Sequence, residues 1–137
     1  MALTLDLAER FIAAAKAKAK QQGWAMSLAV TDPAGNLVAL ARMDGARWLT
    51  AGVAHSKAFT AATFGRTSRE VAELAQSRTT LFSSIAGIAG RPLLLAGGGL
   101  PVVINGELLG GVGASGGTED QDIECAKAGL AAIGAEA

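Results

Sequence analysis

The chain has no tyrosine, one histidine, one cysteine and three prolines among its 137 residues. Each shortage excludes something. The lone Cys125 cannot make an internal disulfide, which fits a reducing compartment. The lone His55 leaves no clustered His/Cys set of the kind zinc needs. No Ser-His-Asp order and no nucleophile elbow is present. No uncharged apolar run reaches the ~20 residues of a membrane helix. Residues 79–100 come closest, and Arg91 with Pro92 splits them. Asp6, Glu9 and Arg10 stand where an export signal would have a continuous apolar region, so the expected location is the cytoplasm. Neither sign of charge dominates, with Lys+Arg and Asp+Glu both at 12. Nucleic acid and anionic membranes normally select a basic excess, so neither is expected as a partner.

What is present is apolar bulk and glycine. Half the chain is hydrophobic, enough for one core and one domain, 1–137. Glycine occurs 18 times, well above the ~7% of ordinary chains. Residues 4–22 read as a helix capped by Thr4 and stopped at Gly23. Residues 24–31 alternate with period two, Asp32 to Asn36 is turn chemistry, and Leu37–Arg42 returns as a hairpin. A second helix is expected at 50–64 with Thr50 as cap, and a third after the capping box Thr67–Glu70. Residues 77–92 are ambiguous, and Leu93–Ala96 reads as a short strand or loop entry. Pro101–Ile104 and Leu108–Ser115 form a hairpin about Asn105-Gly106, the preferred type I′ pair. The capping box Thr118–Gln121 then opens the last helix, to about Ile133. Two hairpins among helices predict an α/β (α+β) domain, one mixed or antiparallel sheet of about five strands with helices packed on it.

Gly110, Gly111 and Gly113 in one strand have two compatible readings: a helix packed closely on the sheet, or a cavity wall free of side chains. Ser115 to Thr118 enters a helix, where free N–H groups favour anions, but Glu119, Asp120 and Asp122 already serve that positive end. His55 is the one candidate metal or haem-iron ligand and the one side chain titrating near neutrality unperturbed. Arg42, Asp44 and Arg47 cluster before the second helix, with Arg42 the best-placed carboxylate clamp. Lys57, two residues past His55, points to another side of that helix. Cys125 reads as a small buried residue. Gly97-Gly98-Gly99 lacks the Gly-Lys-Ser/Thr of a phosphate-binding loop.

Several segments line up in order: Asp32-Pro33-Ala34-Gly35-Asn36-Leu37-Val38, Arg42-Met43-Asp44-Gly45-Ala46, Lys57-Ala58-Phe59-Thr60-Ala61-Ala62, Gly98-Gly99-Leu100-Pro101, and Gly110 to Gly117 with Gln121-Asp122. In this the chain resembles the GlcG/HbpS family of haem-binding and haem-degrading-type proteins, which includes the C-terminal domain of PduO-type proteins. The resemblance implies a profilin-like α-β-α domain with a five-stranded antiparallel sheet, and homo-oligomers from dimers upward. It implies a small-molecule ligand, haem or a related tetrapyrrole, in a protein encoded with catabolic enzymes. On it, Lys57, Arg42, Asp44, Gly113, Ser115, Gly116 and Asp122 match family motifs. Gly113, Ser115 and Gly116 are then expected cofactor contacts, and His55 joins them, on the metal, as the only histidine and not through a family motif. The alternative is an enzyme acting on a small keto, enol or imine acid. Arg42 would then hold the carboxylate, and His55, Lys57, Glu119 or Asp122 would move protons.

Overall fold

A computed structural model describes residues 2–136. The order is α1 (Leu5–Gln22), β1 (Ser27–Thr31), β2 (Leu37–Arg42), α2 (Leu49–Phe64), α3 (Ser68–Ser77), α4 (Thr79–Ile88), β3 (Gly99–Ile104), β4 (Glu107–Ser115) and α5 (Glu119–Ala132). Thr4 caps α1 by accepting from the Leu7 amide, and Gly23 ends it in the left-handed conformation. Thr67 and Thr118 each close a reciprocal capping box, with Glu70 and Gln121. Asn105 and Gly106 both have positive φ, as a type I′ turn requires.

The sheet is antiparallel, with strand order β2-β1-β4-β3. It has four strands where the sequence predicts five. The missing strand is Leu93–Ala96, whose backbone is satisfied by side chains instead of a ladder. The Leu94 amide donates to Thr60 Oγ1, the Ala96 carbonyl accepts from Ser68 Oγ, and the next amide, Gly97, donates to the Glu119 carboxylate. These bonds take backbone groups that a strand ladder would use. The ambiguous stretch after residue 77 is helical, as α4.

Helices cover both faces, giving three layers. On one face α1 and α5 bury Phe11, Met26, Leu28, Val30, Val112 and Leu130 in the main core. Cys125 is buried there too, and burial, with Asp122 and Glu124 nearby, pushes its thiol up to about 11. On the other face lies α2, whose Ala54 and Ala58 pack on Ala29.

The contact with α2 explains the glycine strand. A Cβ on Gly113 would run into the Ala54 carbonyl, and one on Gly111 into the Ala58 carbonyl. Helix backbone therefore rests directly on strand backbone. Of the two readings of these glycines, close packing is the one used at Gly111 and Gly113, and neither lines the described clefts.

Candidate functional site

Beyond the end of that contact the layers part. The largest described cleft, about 570 Å³, opens where β4 runs out, α2 begins and the β2–α2 loop turns. Such a volume lies within the ~300–1,000 Å³ of ordinary small-molecule sites. Trp24, Leu49 and Val53 give it apolar walls, and Ser115, Gly116 and Gly117 form its floor. Arg47 is the one charged residue in the lining.

Three features make this end of α2 receptive to an anion. Its N-cap position is Trp48, with no side-chain hydrogen bond to the first turn and no acid within it. Thr50, the expected cap, instead donates from Oγ1 to the Arg47 carbonyl (2.6 Å), and the Ser27 hydroxyl lies 2.8 Å from it. The positive helix end is thus left without an internal counter-charge. Ser115 is the third feature. It is only 6% exposed, yet its hydroxyl has no hydrogen-bond partner among the described residues. It pairs in register with Ser27, whose side chain reaches α2, so Ser115 points to the same side of the sheet.

The start of α5 is different. The acids there do not face the cleft. Glu119 accepts from the Gly97 amide and stands 3.8 Å from Arg69, and Asp120 pairs with Arg69 at 3.1 Å. Asp122 turns inward, where its Oδ1 accepts from the Gly117 amide at 2.9 Å. This helix end satisfies itself, which agrees with the sequence reading that anions have little call on it.

The candidate residues do not converge. Arg42 is exposed and donates to the Ala46 carbonyl at 2.9 Å, lining a separate groove with Lys16, Lys20 and Asp44. The Gly45 turn, at φ 85°, separates it from Arg47, which reaches the cleft in its place. Arg47 belongs to the loop cluster that the sequence singles out; only its direction was illegible. Lys57 and Asp122, 65 positions apart, meet as a buried ion pair at 2.8 Å. Burial raises the Asp122 carboxyl above its usual range, against the opposing pull of the Lys57 ammonium and the Gly117 amide. Ser115 and Gly116 do line the cleft; Gly113 lies under α2.

His55 is not part of the cleft lining. It is half-buried, with Nε2 3.4 Å from the Gly35 carbonyl at the β1–β2 turn. Burial, and then the Arg91 charge, lower its pKa below the ordinary 6.5, while the Gly35 contact opposes them. A depressed folded pKa means the native state prefers neutral His55. Its stabilising contribution is complete above 6.5 and is lost as pH falls through that value and the lower folded one. Urea midpoints taken between about pH 7.5 and 5.5 should therefore fall more for the wild type than for His55→Gln. Parallel curves would refute the assignment. Among the described residues no group of three or more His, Cys, Asp or Glu side chains is placed to hold a metal ion.

Fold and cleft together define a class: a three-layer α+β domain with an open cleft at one end of its sheet. The chain belongs to the HbpS-like family, since residues 3–131 match the family model described as haem degrading protein HbpS-like. Protein GlcG of Escherichia coli K12 is 37% identical over 114 residues, covering 82% of this chain and 81% of GlcG. The crystal structure of HbpS superposes with a TM-score of 0.85 at 34% identity, over 96% of this chain and 89% of that one. The crystal structure of a PduOC:heme complex superposes at 0.88 with 27% identity, over 99% and 98% of the two chains. The corrinoid adenosyltransferase PduO of Salmonella typhimurium is 28% identical over 133 residues, which is 39% of its own length. No helix among the described residues is long and apolar enough to cross a membrane.

Proposed function

We propose that this protein binds a haem-type tetrapyrrole in the cleft, holding its carboxylates at Arg47 and the open end of α2. The observation that carries the reading is that uncapped helix end, with Arg47 before it and the unpartnered Ser115 hydroxyl across from it. Family membership and the heme complex of PduOC support the ligand class. The residues present fit the ring and its acids better than the iron. Trp24, Leu49 and Val53 offer apolar contact, and Arg47 suits a carboxylate. No His, Cys or Met lines the cleft, and His55 faces Gly35 outside it. Recognition is thus assigned to ring and carboxylates. The self-association and the link to a catabolic pathway that the resemblance implies belong to the same proposal, as does the cytoplasmic setting expected from the sequence.

Titration with haemin and with iron-free protoporphyrin tests it. Both should bind saturably at one per chain, with affinities within a few-fold of each other. Arg47→Ala should weaken both at least tenfold, the loss expected when a charge-assisted hydrogen bond of about 1.5–3 kcal/mol is removed. If neither ring binds stoichiometrically, the reading fails. If haemin alone binds and His55→Ala abolishes it, the site lies at His55 instead. The small-acid enzyme gains no support from the geometry, because Arg42 and His55 stand apart from each other and from the Lys57–Asp122 pair, and Glu119 is engaged by the Gly97 amide.

A further inference from the structure

Lys57 and Asp122 are the only charged residues among the buried ones described, each 3% exposed. Both spend their remaining hydrogen bonds on one short stretch of backbone. Lys57 Nζ, 2.8 Å from Asp122 Oδ2, also donates to the Ala114 carbonyl at 3.0 Å. The other oxygen, Asp122 Oδ1, accepts from the Gly117 amide at 2.9 Å. The ion pair therefore grips residue 114 at one end and residue 117 at the other. Between the grips lie Ser115 and Gly116, the floor of the cleft. Gly116 has φ 146°, and a Cβ there would strike the Ala25 carbonyl, so this floor has a particular shape that does not follow from strand propensity.

The neighbouring chain is cut to fit. Gly98 accepts from the Ala114 amide through its carbonyl, and a Cβ on Gly98 would stand 2.7 Å from Lys57 Nζ. The ammonium occupies the space that this side chain would need. Any buried ion pair must satisfy its remaining hydrogen bonds, and this one does so on the backbone either side of the cleft floor. Hydrophobic side chains of similar volume commonly replace such pairs without loss.

We infer that Lys57 and Asp122 are positioning residues, which hold backbone 114–117 in the form that presents Ser115 and Gly116 to the ligand. This rests on the cleft being the binding site. Neither residue lines the cleft, and both act through the backbone they grip.

The test is the double variant Lys57→Met/Asp122→Leu, which removes both charges together. It should unfold cooperatively at or above the wild-type temperature. Amide hydrogen exchange, read on the ligand-free protein, should nonetheless quicken at least tenfold at Ala114 and Ser115 while that of α1 is unchanged. Haemin and protoporphyrin affinities should fall at least tenfold. If the double variant does not fold, Asp122→Asn is read the same way at a temperature where circular dichroism shows it native, with a several-fold loss expected. Unchanged exchange at Ala114 and Ser115 overturns the positioning role. Quickened exchange with wild-type affinity overturns its bearing on the ligand. A wild type that binds neither ring overturns only the cleft reading, because the exchange result stands without ligand.

Discussion

Replacing Gly111 by alanine will destabilise this protein by about 3 kcal/mol, at the upper end of what overpacking a core costs. The added methyl would sit on the Ala58 carbonyl and within 2.9 Å of the Ala62 amide nitrogen. Both partners are backbone of a sixteen-residue helix, so no side chain can swing aside. Either α2 lifts from the sheet or β4 sinks into the core beneath it, where Val112 is fully buried. Gly113→Ala should behave alike, against Ala54. Each should lower the melting temperature by roughly 10 °C for a domain of this size. Gly52→Ala is the control. It lies in the same helix with nothing within 4 Å of its would-be Cβ, and should stabilise by about 0.5–1 kcal/mol. If Gly111→Ala melts with the wild type, α2 is not seated on this strand as described.

Asp122→Ala will cost a comparable amount for a different reason. It strands the Lys57 ammonium in a site only 3% exposed, with the Ala114 carbonyl as its one remaining partner, and leaves the Gly117 amide without an acceptor. Breaking a buried pair from one side typically costs about 3–5 kcal/mol, while replacing both members by apolar groups is near neutral. The single variant should therefore unfold in urea at a much lower midpoint than the Lys57→Met/Asp122→Leu double variant, with little change in slope. Equal midpoints for the two would mean that the charges do not see each other in the native state.

Local chemistry made most of the elements legible in advance. Thr4, Thr67 and Thr118 announce helix starts because a cap needs only a hydroxyl and the next turn's amides. Asn105-Gly106 announces its hairpin because few other pairs accept positive φ twice. The alternation is faithful from 26 to 30, where Met26, Leu28 and Val30 reach the α1/α5 core and Ala29 meets α2, but the strand itself starts at Ser27 and not at 24. Thr50 misleads, since its hydroxyl is spent on Arg47 and the cap position falls on Trp48. Leu93–Ala96 misleads for a related reason: side chains from Thr60 and Ser68, more than twenty residues away, take the hydrogen bonds that a fifth strand would use.

The site was less legible than the fold. The segment 110–117 was visible as unusual, and so was the loop holding Arg42, Asp44 and Arg47. The division of labour within each was not. Gly111 and Gly113 seat a helix while Ser115 and Gly116, two or three residues further along the chain, line the cleft.

From the sequence alone follow the alternation of helices and hairpins, the glycine-rich strand and the family resemblance. These depend on near-neighbour chemistry and on residue types in order. Only the tertiary structure decides that Lys57 and Asp122 spend their charges on each other, that Arg47 and not Arg42 reaches the cleft, and that His55 stands apart from it. Those outcomes depend on the direction of a side chain and on what 65 intervening residues bring beside it. Period and spacing carry no record of either.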